Sequence, residues 1–469
     1  MGHLMSISPS RASADNIQDC VVIGAGFSGL SAAEALLKKD VSVTLLEARD
    51  RVGGRARTEV VGENWLDYGG QWLGPGHTGM YEYAKRYNKA IWPMYLKGRH
   101  TTWLNGEKKH HRLPFPTTLP WRALVNLLTA TLRFEWMALR VSKTAPWQAS
   151  KAKEWDAISL EQWMQGHLTQ PAAYAVFKVA AESVLAKHPA DVSLLQALFY
   201  FRSSRSFMYA TASKGGAQQD RVDGGMQPLA EALVADLNAK GLNLQLNQAV
   251  TSITQTQTAL CVKTTDGEFL ARSVIIATPP ILAREINIEP ALPTHTQQMM
   301  DALTPGCAIK CFAIYERPFW RDEGLSGSLV SDQGPVHVCF DVTPPDSTRG
   351  VLMGFIEGRD GMDWTDADPA ERQATVLAQF ADYFGPAAAE PLEYADHSWL
   401  NDEWTRGCYG GTAGLNALSR WGDGLRQVHN GVIWAGTETA TEFNGYFEGA
   451  VRAGRRAAAQ ATDHIAAAQ

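Results

Sequence analysis

Short apolar runs that end in glycine and give way to helical spacing are the first regularity along the chain. Residues 20–23 form such a run, and Leu30, Ala33, Leu36 and Leu37 then recur at helix intervals. The spacing predicts a strand over 20–23, a helix after it, and a second strand over 41–46, a βαβ-like opening. From about Ile91 to Ala212 the pattern changes to Trp- and Pro-rich helical runs, one of them opened by the capping-box pair Ser159 and Gln162. A separate, mostly helical lobe is expected there. After Gly224-Gly225 the pattern predicts a helix over 226–240 stopped by Gly241, a strand over 242–246, and a hairpin turning at Asp266-Gly267. A strand over 273–277 then breaks at Thr278-Pro279-Pro280. A long mixed segment follows to about Asn401, and a strand over 431–434 with a helix from about 449 to 462 closes the chain.

This order predicts an α/β (mixed α+β) fold: a Rossmann-like domain assembled from residues 19–90, 213–293 and 401–469, interleaved with a second domain of mixed sheet plus helices from 91–212 and 294–400. Residues 1–18, polar and Ser-rich, are expected to be a disordered tail. A chain of 469 residues is too long for one core of ordinary size, which agrees with two domains. The net charge of −6 gives no electrostatic reason to bind nucleic acid or anionic lipid. No run approaches the ~18 apolar residues of a spanning helix, so a soluble chain is expected. The most apolar helical stretch, 121–141, is interrupted by Arg122, Arg133, Glu135 and Arg140 and reads as a lining helix of the second lobe rather than a surface membrane anchor. Six scattered cysteines without a Cys-x-x-Cys pair fit reduced thiols in a cytoplasm, and no metal site is expected.

The candidate chemistry begins at Gly24-x-Gly26-x-x-Gly29, which follows a strand and opens a helix, with Ser28 inside the turn. The first glycine allows the tight turn, the second lets backbone N–H groups approach a pyrophosphate, and the third permits close helix–strand packing. Glu47 ends the second strand at the spacing where a carboxylate accepts hydrogen bonds from a ribose and disfavours a 2′-phosphate. The cofactor is therefore FAD or NAD, and this motif alone leaves the two open.

Two further blocks narrow the choice. After Glu47 come Arg49, a second glycine pair ending at Gly54, and Arg55; near the C-terminus, Trp434-Ala-Gly436-Thr437 leads through Asn444-Gly-Tyr446-Phe447 to Gly454. Both blocks resemble the signatures of the flavin-containing monoamine oxidase family within the FAD-dependent amine oxidase superfamily. The resemblance runs the length of the chain and is dense only in these terminal blocks.

By that resemblance the cofactor is FAD. Arg49 and Arg55 would meet its phosphates and ribityl chain, which suits the planar donor fork of arginine. Gly70, Gln71 and Trp72 would pass beside it, Val250 would touch the adenine through its backbone, and Gly436, Thr437 and Phe447 would hold the ring region. Trp399 would fall near the flavin, and Lys310 would reach flavin N5 through a water. Tyr409 and Tyr446 would form the two walls of an aromatic cage that steers the amine. Gln218, or with a shifted register Gln219, would stand in the substrate cavity. Cys408 matches a position where some relatives attach flavin through a thioether; whether this chain does so stays open.

The implied reaction is removal of hydride from an amine's α-carbon to flavin N5, hydrolysis of the imine to aldehyde or ketone, and reoxidation by O2 with release of hydrogen peroxide. Its partners are a small-molecule amine and O2, with a homodimer by analogy to family members. Alternatives are an amino-acid oxidase or flavin desaturase of the same superfamily, and a flavin-binding protein without catalysis. Monoamine, diamine and N-methylated amine all remain open as substrates.

Overall fold

The computed structural model of the protein describes residues 17–113 and 117–467. Its first strand, Ile17–Ile23, is longer than the apolar run alone suggests. Ile17 and Gln18, expected in the tail, already pair in parallel with Leu270 and Ala271; the rest of the expected tail, residues 1–16, lies outside the described residues. Cys20, Val21, Val22 and Ile23 are buried on both faces of the sheet, which is why they read as a continuous apolar run rather than an alternating one.

That strand is the middle of a sheet with Val43–Leu46 on one side and Glu268–Ile276 on the other, both parallel to it. Asn243–Gln245 extends the sheet beyond Val43–Leu46, and Val432–Trp434 pairs in parallel with Glu268–Ile276. The strand Leu260–Thr264 forms an antiparallel hairpin with Glu268–Ile276, turning at Asp266-Gly267 as expected. Strands from the two ends and the middle of the sequence therefore share one sheet. Helices Phe27–Leu37 and Phe447–Ala467 reinforce the join. A Cβ at Gly454 would overlap the Ser28 carbonyl, so only glycine lets the two helices approach so closely. The Ser31 hydroxyl donates to the Val451 carbonyl at 3.1 Å across the contact.

A second sheet of seven strands runs in the order Glu393–Ser398, Ala308–Tyr315, Gly350–Glu357, Val336–Asp341, Leu325–Ser331, Arg99–Leu104, Glu107–His111. Ala308–Tyr315 is buried at every position, Lys310 included. The helices between residues 121 and 211 pack around Phe134, Trp163, Phe177, Phe201 and Phe207, with the Phe177 and Phe207 rings stacked at 4.5 Å. The capping box is present: Gln162 N donates to Ser159 Oγ at 3.1 Å, and Ser159 N donates to Gln162 Oε1 at 2.8 Å. Helix Trp121–Ala138 lines this core through Ala123, Leu127, Ala130, Phe134 and Met137, while its opposite face is exposed. Among the described residues no helix is long and apolar enough to cross a membrane.

Candidate active site

One continuous cavity starts at the carboxyl ends of the parallel strands and reaches the underside of the seven-stranded sheet. Ligands of open α/β sheets bind at such strand ends. At this end the walls are largely backbone. Gly24, at φ +100°, turns the chain out of the first strand, and its N–H donates to the Leu46 carbonyl at 2.7 Å. Gly26 then caps helix Phe27–Leu37 without any side-chain hydrogen bond, leaving the helix N-terminus free for an anionic ligand. The second glycine turn lies against the first: Gly53 N donates to the Ala25 carbonyl at 2.9 Å, and a Cβ on Gly54 would come within 3.3 Å of the Gly26 Cα. A phosphate-bearing cofactor fits this bare, uncapped cradle.

Glu47 is held by its own neighbours, its two oxygens accepting from Ala25 N at 2.7 Å and Arg49 N at 3.0 Å. Val250 lines the same end of the cavity, as do Thr278, Pro279 and Ile286 beyond the break that ends strand Glu268–Ile276. Ser28 also lines it, with its hydroxyl directed at the Ala435 carbonyl.

The middle of the cavity is charged. Arg49 is ion-paired with Asp402 and donates to Thr405 Oγ1 at 2.7 Å. Arg55 donates to the buried Glu438 at 2.9 Å and to the Tyr409 carbonyl. Both arginines line the cavity, and each also carries a carboxylate partner that no local motif announces. Lys310 is buried and donates to the carbonyls of Asp67 at 2.5 Å and Gly69 at 2.9 Å and to Gln71 Oε1 at 2.6 Å. Burial pulls its pKa down to about 7, with the Asp67 carboxylate opposing the shift and Arg221 adding to it. Gly70 and Gln71 pass beside it, and a Cβ on Gly70 would strike the Phe447 ring. Thr437 supports the last helix's approach, its hydroxyl donating to the Tyr446 carbonyl at 2.9 Å.

The far end is aromatic. Trp72, Tyr200, Phe355, Tyr409 and Tyr446 line it, together with Val184, Ala210, Ala217, Ser183 and Gln218. Trp72 arrives on the short strand Trp72–Leu73, paired with Asp220–Val222. The Tyr409 phenol donates to Glu357 Oε1 at 2.6 Å, and its ring lies 6.4 Å from Phe355. The Tyr200 and Tyr446 rings are 6.0 Å apart. Gln218 is the cavity glutamine, because Gln219 is engaged elsewhere, accepting from Gly215 N at 2.9 Å and donating to Asp220 at 3.0 Å. Cys408 is the one of the six cysteines that lines the cavity; burial pushes its thiol up to about 12.

Three residues expected at the cofactor do not line the cavity. Trp399 stands one layer behind it: the indole N–H donates to the Tyr68 carbonyl at 2.8 Å and the ring packs edge-on to His397, so it supports the strands rather than facing a ligand. Gly29 lies on the helix side, where a Cβ would overlap the Gly24 carbonyl oxygen. Gly436 only precedes the 3-10 turn Thr437–Thr439. Conversely Tyr200, Phe355, Ser183 and the Tyr409 partner Glu357 were not singled out from sequence. Tyr200 and Phe355 sit in apolar runs indistinguishable from core, and only the pairing of Lys310 with Phe355 across two strands brings the latter to the site.

Comparison with known proteins agrees with this geometry. The sequence profile for flavin containing amine oxidoreductases matches residues 27–462. A probable flavin-containing monoamine oxidase A of Dictyostelium discoideum is 32% identical, over 96% of this chain and 98% of its own length. A putative flavin-containing monoamine oxidase of Mycobacterium tuberculosis is 36% identical, over 94% and 96%. Among solved structures, wild-type putrescine oxidase bound to putrescine superimposes with a TM-score of 0.90 at 30% identity, covering 95% of this chain and 99% of that one. Cyclohexylamine oxidase from Brevibacterium oxydans gives 0.91 at 29%, covering 96% and 100%. With a bare glycine cradle at one end of its cavity and an aromatic slot at the other, the chain belongs to the flavin-containing amine oxidoreductase family and is an FAD-dependent amine oxidase.

Proposed function

We propose that this enzyme oxidises monoamines with an apolar body. The observation that carries this reading is the distribution of charge along the cavity. The charged side chains that line it are Glu47, Arg49, Arg55, Glu285 and Lys310, all at the cradle or in the middle, and the aromatic end offers none among the described residues. Glu357 stands behind Tyr409 rather than on the wall, accepts from its phenol, and is held towards its neutral form by burial. A second ammonium, as in a diamine, would therefore be buried there without a facing counter-charge, which costs several kcal/mol. The carboxylate of an amino acid would equally lack a cation, so the amino-acid oxidase reading finds no support there.

The bound FAD supplies the acceptor for the amine's hydride and the route of the electrons to O2, with release of hydrogen peroxide. Residues 19–90, 213–293 and 401–469 hold it, and 91–212 with 294–400 close over the amine. Gly24, Gly26, Ser28, Glu47, Gly54 and Val250 would hold the nucleotide half, and Arg49 and Arg55 would meet its phosphates and ribityl chain. Gly70, Gln71, Thr437 and Phe447 would hold the ring region. Tyr409 and Tyr446 exclude water and orient the neutral amine, Trp72 and Phe355 enclose its body, and Gln218 gives it one polar contact. Lys310, which donates to the Asp67 and Gly69 carbonyls and to Gln71, would hold a proton beside the ring region and reach it through a water. Cys408, the cysteine on the cavity wall, would anchor FAD through a thioether. Six buried, unpaired cysteines fit a reducing compartment such as the cytoplasm.

Steady-state rates with benzylamine, a long-chain alkylamine, putrescine and phenylalanine test the substrate reading. Higher kcat/KM for the first two supports it; preference for putrescine or phenylalanine contradicts it. Acid precipitation tests the anchor: yellow colour held in the pellet supports the thioether, and colour released to the supernatant contradicts it.

A further inference from the structure

The outer face of helix Trp121–Ala138 is unexplained by the oxidase chemistry. Trp121, Val125, Leu128, Leu132, Trp136 and, just past its end, Leu139 are 71%, 52%, 55%, 60%, 55% and 63% exposed. At about 100° per residue these six fall in one stripe running the length of the helix. Together they expose on the order of 700 Å² of mainly apolar surface, more than the ~300–600 Å² that the largest patch of a soluble monomer usually shows.

Charge around the stripe is one-sided. Arg122, Arg133 and Arg140 fall within about 20° of one another on a single flank, and all three are exposed. The helix's one carboxylate, Glu135, lies on the other flank, half-buried and accepting from Met208 N at 3.2 Å. Two of the arginines fold against the stripe's tryptophans, Arg140 at 3.1 Å and Arg122 at 5.4 Å from the ring centroids. The occupant of this face must therefore be apolar and carry negative charge at its edge. A second copy of the chain would supply enough area, but a two-fold contact would bring six arginines together with no exposed carboxylate from either helix.

We propose that this helix seats the enzyme on an anionic lipid surface, with the tryptophan–leucine stripe in the headgroup–acyl boundary and the arginines on lipid phosphates. Contact is peripheral, the helix lying flat. In sequence the arginines interrupt the apolar run and argue against a membrane contact; the fold gathers them on one edge, where they assist it. The docked face adjoins the cavity wall. Met208, 53% exposed, is tied to Glu135, and the same short helix, Phe207–Thr211, carries Ala210 into the cavity lining. This inference does not depend on which amine is oxidised.

The test uses the full-length holoenzyme and vesicles of phosphatidylcholine with and without phosphatidylglycerol, read by co-sedimentation. The enzyme is expected to pellet with the anionic vesicles, less so as salt is raised. Leu128→Glu/Leu132→Glu should lower binding at least tenfold, and Arg122→Gln/Arg133→Gln/Arg140→Gln should abolish the preference for anionic lipid, with flavin absorbance and turnover of a soluble amine unchanged in both. Failure of the wild type to pellet with anionic vesicles overturns the proposal, as does equal pelleting of the Leu128→Glu/Leu132→Glu variant. A wild-type dimer in sedimentation velocity that this variant splits would overturn it in favour of a second copy.

Discussion

The two ends of the cavity are built by opposite means. The nucleotide end is built chiefly on the backbone of two short stretches, 24–28 and 47–55, whose glycine turns pack against each other and whose cavity-lining carboxylate, Glu47, is fixed by neighbouring amides. The amine end is made of side chains delivered by widely separated elements: Trp72, Val184, Tyr200, Phe355, Tyr409 and Tyr446. This backbone cradle tolerates little change, because a Cβ at Gly29 or Gly53 would strike backbone and Gly24 and Gly54 sit at positive φ. A side-chain slot can be reshaped one residue at a time, which is how one cofactor chemistry serves many amines.

Substitution should expose that asymmetry. The largest effect is expected from Gly29→Val, where the new side chain must displace the Gly24 carbonyl; the protein should lose its flavin or fail to fold, seen as absence of the visible flavin spectrum. Next comes the junction of the two ends. Lys310→Met should slow reoxidation of the reduced enzyme by O2 roughly 100-fold while the protein stays yellow, measured by stopped flow. The proton on Lys310 is held below about pH 7 and lost above it, so wild-type reoxidation should fall as pH rises through that region, and Lys310→Met should show no such inflection. Within the slot, Tyr446→Ala should lower kcat/KM for an apolar monoamine roughly tenfold with full flavin content. The smallest change is expected from Gln218→Ala, about fivefold in KM, the worth of one hydrogen bond. A Tyr446→Ala enzyme that loses its flavin, or a Gly29→Val enzyme that keeps it, would break the comparison.

The same contrast explains what the sequence made legible. Gly24, Gly26 and Glu47 sit in one contiguous motif whose spacing is itself the geometry, so their grouping at one turn is legible in the sequence, whereas Gly54 and Arg55 were reached through family resemblance. Tyr409 and Tyr446 were reached only through family resemblance, because nothing local distinguishes a cage tyrosine from a core one. Tyr200, Phe355 and Glu357 escaped altogether: their roles depend on the pairing of Phe355 with Lys310 across two strands, on the hydrogen bond from Tyr409 to Glu357, and on the packing of Tyr200 against Tyr446, all between residues far apart in the chain. That Trp399 stands one layer behind the cavity wall, donating to the Tyr68 carbonyl, was equally beyond local pattern. The outer stripe of helix Trp121–Ala138 shows the limit from the other direction, since periodicity identifies an apolar face without saying that two such faces point opposite ways.

The most direct test of the account is anaerobic mixing of the purified holoenzyme with an apolar monoamine such as benzylamine, followed by admission of O2. The account predicts that the visible flavin band bleaches on mixing, more readily than with putrescine or phenylalanine, and returns with O2 as hydrogen peroxide appears. A flavin band that no amine bleaches, or a protein that neither carries nor takes up FAD, would contradict it.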